Sequence, residues 1–242
     1  MMPLEEQVQI LSRVDVLEPL SEEELRELLR RNLETSLEPG EIFYTPEDLS
    51  EKLFILKKGR VRIFKTADSR ELTLAEIEPE EVFGEMALTA QRLQGAYAQA
   101  LEASTVISMS REELENLIEE KPQVGIRLVH LLSERLCSYE SRMEDLTLKD
   151  VPARLANLIL LLCEEEGVMT CQDIKIPHHY THERLGTMIG ANREAVTRAF
   201  GQLQNEGVVE LRRRLIRIRN IEALRRVAGR PSPQDIPRDI SP

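Results

Sequence analysis

Six apolar side chains, Val129, Leu132, Leu136, Tyr139, Met143 and Leu146, recur at alternating spacings of three and four residues. On an α-helix that spacing gathers them into one narrow stripe, the seam of a coiled coil about two and a half heptads long. A helix carrying such a stripe has to lay it against a partner. The cover is either the helix's own domain or a second copy of the chain, and a parallel homodimer through these six residues is the expectation. The periodic segment as a whole runs from Glu112 to about Lys149, interrupted only by Pro122.

The segments on either side have different periods. From about Ser36 to Ser110 the chain breaks into "EIFY", "KLFILK", "RVRIFK", "ELTLAEI", "EVF" and "TVISM", with Gly40, Gly59 and Gly84 between or beside them. Alternation at period two with β-branched and aromatic residues predicts six or more short strands, hence a rolled or closed antiparallel sheet. Before it, "PLSEEELREL" places Ser21 three residues ahead of Glu24, with Leu25, Leu28 and Leu29 on one face, a capping box opening an amphipathic helix. After the seam come the apolar "ARLANLILLLCEEEG", a short strand "DIKI" stopped by Pro177, two helical segments, and "GVVELRRRLIRIRN". In the last, Val208, Val209, Leu215, Ile216 and Ile218 flank a basic turn and predict a β-hairpin. The tail "RPSPQDIPRDISP", with four prolines and no apolar period, is expected to be disordered.

Charge divides the chain in the same place. The total of −11 argues against a nucleic-acid partner, yet residues 1–180 carry 20 Lys/Arg and 36 Asp/Glu, net −16, whereas residues 181–230 carry 11 and 5, net +6. Attraction to phosphate is local, screened over roughly 8 to 10 Å, so a basic end on an acidic body suits a nucleic-acid-binding domain joined to a regulatory one. No run of about 18 apolar residues is present to span a bilayer, and "MMPLEEQVQIL" lacks the basic and apolar parts of a secretory signal, so a cytoplasmic protein with no membrane partner is expected. Cys137, Cys163 and Cys171 are too few and too scattered for a disulfide framework and are expected as reduced, buried thiols.

The strongest chemistry lies in "THERLGTMIGANREAVTRAF", residues 181–200. Thr181 is placed to cap one short helix, Gly190 to end it and Asn192 to cap the next. With Val196, Ala199 and Leu203 turned to the core, Arg193, Glu194, Thr197 and Arg198 share the opposite face near the helix start. Arginine can hold guanine O6 and N7 together, and glutamate accepts from the cytosine amino group, so a helix-turn-helix entering the major groove accounts for these charges. A solvated face with Glu194 paired to Arg198 is the plain alternative. His182 beside Thr181 completes the expected DNA-facing set, with Arg212, Arg213 and Arg214 in the hairpin turn for phosphates. His178, His179 and His182 have a spacing open to a metal, although a loop entering a DNA-binding helix explains them equally well, and no metal site is assigned.

With these motifs in view the chain resembles the cyclic-AMP receptor protein and FNR superfamily of bacterial transcription regulators. The likeness covers nearly the whole length: an N-terminal helix, a β-roll with "FGEMAL" at residues 83–88, a long helix ending "LTLKDVPARL", and a winged helix-turn-helix. It implies an α+β fold, with a jelly roll like that of cyclic-nucleotide-binding domains over residues 1–110, a dimerisation helix over 111–150, and a winged helix-turn-helix over 151–230 ahead of the 231–242 tail. Arg193, Glu194 and Arg198 match the Arg-Glu-x-x-x-Arg of the receptor branch, which implies a TGTGA-like half-site; the FNR branch differs there. The resemblance also implies double-stranded DNA, RNA polymerase and a second copy as partners, and no enzyme activity.

The effector pocket departs from the pattern. Gly84 and Glu85 match its first element, but Gly95 and Ala96 stand where the family has the Arg and Ser or Thr that hold the cyclic nucleotide's phosphate, and Arg92 is three residues out of place. Without that arginine a buried phosphate lacks its charge-assisted bonds. Tyr139 and Glu140 replace the Thr-Ser pair that would meet the base. Arg135 resembles the 2-oxoglutarate-binding arginine of the nitrogen-control branch, although its partner would fall at Ala96. The oxygen sensors' four-cysteine cluster is missing, and His130 beside the seam is not aimed at a haem. The reading is therefore a homodimeric activator that needs no cyclic AMP and no cofactor. Its rivals are a regulator gated by another metabolite or a redox signal, and a β-roll module whose C-terminal domain contacts protein.

Overall fold

The structure, a computed structural model, describes residues 3–49, 51–68, 70–88, 93–169, 174–177, 180–212 and 215–230, apart from the side chains of Leu33 and Pro177. The chain forms two compact units, residues 1–69 with 73–139 and residues 70–72 with 140–242.

The first unit opens with α1 (Leu4–Leu11) and α2 (Glu22–Arg31). The capping box of α2 is formed as its sequence dictates: Ser21 Oγ accepts from the Glu24 amide, and the Glu24 carboxylate accepts from the Ser21 amide at 2.8 Å. Among the described residues eight strands come next: β1 (Leu33–Leu37), β2 (Ile42–Tyr44), β3 (Lys52–Lys58), β4 (Val61–Ala67), β5 (Arg70–Ile77), β6 (Val82–Phe83), β7 (Tyr97–Ala100) and β8 (Ser104–Ser110). They make two four-stranded sheets, ordered β1-β8-β3-β6 and β2-β7-β4-β5, the rolled antiparallel arrangement expected.

One strand breaks the expected alternation. In β3 Leu53, Phe54, Ile55, Leu56 and Lys57 are all buried. Phe54 and Leu56 join the core inside the roll, whereas Leu53 and Ile55 join a second core made with α1, α2 and the helices after β8. Lys57 continues the second face. Its buried ammonium donates to Gln7 Oε1 at 2.9 Å and Glu34 Oε2 at 2.8 Å, which supplies the partners a buried cation needs.

Two helices, not one, come after the roll: α3 (Arg111–Glu120), capped by Ser110 and Glu113, and α4 (Pro122–Leu148). Pro122 opens α4 where its missing amide proton is harmless. Val124 and Leu128 of α4 are buried in the second core and Leu131 is partly so, while Val129, Leu132, Leu136, Tyr139, Met143 and Leu146 are 37–66% exposed. The helix thus carries an inner stripe packed on its own unit and an outer one left to solvent. Cys137, adjacent to Leu136, is exposed, contrary to the buried thiol expected, because it falls on the solvent side of the outer stripe. Cys163 is half-buried, and burial pushes its thiol up to about 11. Cys171 lies outside the described residues.

The second unit takes in the last turns of α4 as well as the C-terminal elements, so the division of packing falls between Tyr139 and Glu140. Asp145 of α4 accepts from Asn157, a bond that ties those turns to the C-terminal elements. Beyond lie α5 (Val151–Glu166), β9 (Val168–Met169), β10 (Ile174–Pro177), α6 (His182–Ile189), α7 (Arg193–Asn205), β11 (Val209–Arg212), β12 (Leu215–Ile218) and α8 (Ile221–Val227). The strands pair in the order β11-β12-β10-β9. Leu155, Ile159, Leu185, Val196, Phe200 and Ile216 anchor one continuous core.

The charge on Glu24 makes the N-terminal packing pH-dependent. The Ser21 amide, then Lys121 with its ammonium 2.9 Å away, then the Ser21 hydroxyl hold the Glu24 carboxyl down to about 2 from 4.5. A depressed carboxyl stabilises the fold fully above its unfolded value, and that stabilisation fades as pH falls from about 4.5 towards 2. Thermal unfolding of wild type and Glu24→Gln should differ at pH 7, with the variant less stable, and converge near pH 2; a constant gap would contradict the assignment.

Candidate nucleic-acid interface

Two glycines shape the turn between α6 and α7. Gly190 ends α6 in the left-handed region, φ +64°, where a side chain is strained. Gly186 lies inside α6 yet faces the returning chain: a Cβ there would come 2.5 Å from the Ala191 carbonyl oxygen, and the Ala191 amide donates to the Gly186 carbonyl at 2.9 Å. Asn192 Oδ1 then accepts from the Ala195 amide at 2.8 Å and starts α7, as Thr181 Oγ1 accepts from the Arg184 amide at 3.1 Å and starts α6. The caps predicted from sequence are in place, and their oxygens are committed to the backbone.

On α7, Val196, Ala199, Phe200 and Leu203 are buried, and Arg193, Glu194, Thr197 and Arg198 are exposed together. Among the described residues no ion pair joins Glu194 to Arg198, so the solvated-pair alternative lacks its defining contact. Thr197 is tied differently. Its Oγ1 lies 2.9 Å from the Arg193 carbonyl oxygen and 2.8 Å from His182 Nδ1. The His182 ring stacks on Phe200 at a centroid distance of 5.1 Å, and burial, then the Arg193 charge, hold its pKa below the usual imidazole value.

The hairpin of β11 and β12 turns Leu211, Ile216 and Ile218 inward, leaving Glu210, Arg212 and Arg217 on the outer face. Arg212 Nε lies 2.5 Å from Glu210 Oε1, Arg219 pairs with the other carboxylate oxygen, and Arg217 Nη1 is 3.7 Å from it. The Arg212 hydrogen bond, more than the Arg219 one, lowers the Glu210 carboxyl below its usual range. Glu210 was not singled out from sequence, where only its alternation with Arg212 hinted at a shared face. Arg213, Arg214, His178 and His179 lie outside the described residues.

The expected effector positions lie in the first unit. Glu85 starts a short 3₁₀ turn, Glu85–Leu88, and its Oε2 meets Arg135 Nη1 of α4 at 2.7 Å; Arg135 also donates to the Val82 carbonyl. Arg135 lies four residues beyond Leu131 and so extends the inner stripe of α4. Tyr44, unremarked in the sequence, is buried nearby, and burial, then the Glu85 charge, push its phenol above the ordinary range. Phe43, Phe54 and Phe83 fill the adjoining interior, with Phe43 and Phe54 edge to face at 4.6 Å. Tyr139 is close enough to Tyr44 to act on its charge. Among the described residues no hydrogen bond brings Gly95 and Ala96 to this cluster: the Gly95 amide donates to the Pro46 carbonyl at 3.1 Å, and Ala96 is a buried methyl. Arg92 lies outside the described residues.

Residues 34–121 match the cyclic nucleotide-binding domain family, and residues 153–227 match the Crp-like helix-turn-helix domain family. The chain is 32% identical over 188 residues to the cyclic AMP receptor protein of Thermus thermophilus, covering 77% of this chain and 83% of that one. It is 30% identical over 201 residues to a global nitrogen regulator of Synechocystis, covering 82% and 89%. Among solved structures, a mutant of CooA from Carboxydothermus hydrogenoformans aligns with a TM-score of 0.74 at 24% identity, over 84% of this chain and 90% of that one.

Proposed function

The chain belongs to the cyclic-AMP receptor protein and FNR superfamily of DNA-binding transcription regulators, and from that premise we propose that it works as a homodimeric, cytoplasmic activator reading TGTGA-like inverted repeats without cyclic AMP. The observation that carries the reading is the outer face of α7, where Arg193, Glu194 and Arg198 are exposed and joined by no ion pair among the described residues. Side chains left this way in the first turns of a helix-turn-helix's second helix meet base edges in the major groove. Arg193 and Arg198 take guanines, Glu194 a cytosine amino group. Arg212, Arg213 and Arg214 neutralise phosphates, while Thr181, His182 and Asn192 set the helix starts against the backbone. RNA polymerase is the partner an activator requires.

Dimerisation follows from the outer stripe of α4. A row of six exposed apolar residues at heptad spacing is the seam a second copy of the same helix covers, and a two-fold dimer sets its recognition helices about 34 Å apart, one DNA turn. Leu136→Glu places a charge in that seam. Light scattering should report monomers for this variant; a stable dimer would mean that the seam lies elsewhere.

Effector independence is supported by the Glu85–Arg135 pair. The family carboxylate is already bound to an arginine of α4, the interior beside it is filled with aromatic rings, and Gly95 and Ala96 supply no side-chain donor to hold a phosphate. A ligand shifts an equilibrium only through differential affinity for the two states. Operator titrations at fixed salt, with and without cyclic AMP at millimolar levels, should superimpose. A large tightening would instead place the chain among the nucleotide-gated members.

Base readout has a separable signature. Glu194→Ala should cost roughly 1 to 3 kcal/mol per half-site and relax selection at one base pair, while loss of Arg212 should weaken all sequences alike and lower the salt slope by about one. Selection from random DNA measures both; unchanged base frequencies for Glu194→Ala would remove this helix face from direct readout.

A further inference from the structure

The bonds around Thr197 are over-determined for a surface threonine. Its hydroxyl has one proton to give, and the Arg193 carbonyl, 2.9 Å away, can only accept. The His182 contact at 2.8 Å must therefore run the other way, with Nδ1–H donating to Thr197 Oγ1. This direction holds for the neutral ring and for the imidazolium alike, since both can carry a proton on Nδ1. Stacking on buried Phe200 keeps the imidazole in place. The threonine hydroxyl is thus engaged as donor and as acceptor, and both partners lie along the helix backbone and α6.

That leaves the methyl group as the part of the side chain with no partner of its own. Thr197 is exposed and lies one turn after Arg193, on the face that also carries Glu194 and Arg198. With Oγ1 turned towards the preceding turn and α6, Cγ2 takes another of the staggered positions, and β-branching leaves it few alternatives. In the major groove the apolar feature of matching size is the C5-methyl of thymine, and threonine methyls are among the groups that contact it. We propose that Thr197 is a specificity-determining residue that reads a thymine through its methyl group, and that His182 is its positioning residue. This rests on the assignment of α7 as the base-reading helix. It adds an apolar contact to the polar ones of Arg193, Glu194 and Arg198, and gives His182 a function other than phosphate contact.

The experiment uses the full-length protein and its own selected operator. Each thymine is replaced in turn by deoxyuridine, which removes only the methyl, and binding is measured by fluorescence anisotropy at fixed salt. One thymine per half-site should matter, weakening wild type about fourfold, the factor expected for losing the burial of one carbon. Thr197→Val should retain that discrimination, and Thr197→Ser, which keeps the hydroxyl, should lose it. His182→Phe keeps a ring against Phe200 and cannot donate; it should blunt the thymine preference while leaving selection at the guanines intact, which general destabilisation would not do. The proposal is overturned if no deoxyuridine weakens wild type more than Thr197→Ser while Arg193→Ala still alters base selection. Unaltered thymine discrimination in His182→Phe overturns the positioning role. If Arg193→Ala and Glu194→Ala both leave selection unchanged, the base-reading assignment of α7 falls, and the thymine contact with it.

Discussion

Burial of β3 on both faces is the constraint from which the first unit is built. A strand with one wet face would need only the roll behind it, but Leu53 and Ile55 give β3 a second apolar surface that only helices can cover. α1, α2 and α3 and the start of α4 meet that need, and at about 25 cal/mol per Å² of apolar surface removed from water the helices are held by the same term that closes the roll. The buried Lys57 ammonium shows how completely this face is enclosed, because its charge is tolerated only with Gln7 and Glu34 bonded to it.

This placement determines what α4 has left to offer. Once Val124 and Leu128 are fixed on the second core, the remaining faces of the helix are set by its 3.6-residue period, and Val129, Leu132 and Leu136 are left exposed. The same geometry sends Arg135 inward. A guanidinium there without a partner would be a half-buried charge in search of one, and Glu85 with the Val82 carbonyl meets it. The ion pair is therefore a consequence of helix register as much as of anything in the roll.

How much of this was legible in the sequence depended on range. The caps at Ser21, Thr181 and Asn192 obey rules confined to three residues and were readable directly, as was the apolar stripe of α4, whose period is its signature. The alternation expected for the strands failed in β3 because burial there is decided by two cores, neither of them local. Glu210 escaped notice because its partnership with Arg217 depends on cross-strand register, and the Glu85–Arg135 pair joins residues fifty positions apart. β9 and α8 are too short to leave a periodic trace. Cys137 was misjudged because cysteine's general preference for burial says nothing about which face of α4 it occupies.

Two sets of arginines in the second unit differ in their charge partners, and the difference bears on the proposed specificity. Arg212 and Arg219 already hold the Glu210 carboxylate, so a phosphate that engages them has to displace a charged partner. Arg193 and Arg198 hold no carboxylate among the described residues, so a base engaging them would have no such partner to displace. Phosphate contacts supply most of the affinity for any sequence, whereas base contacts supply the difference between sequences. If the roles proposed for Arg212 at phosphates and for Arg193 and Arg198 at bases hold, a carboxylate on the first and none on the others among the described residues would lower the first contribution and spare the second. With residues 181–230 at net +6 on a chain that is otherwise acidic, that internal competition would, on the proposed roles, limit indiscriminate binding where the basic charge is concentrated.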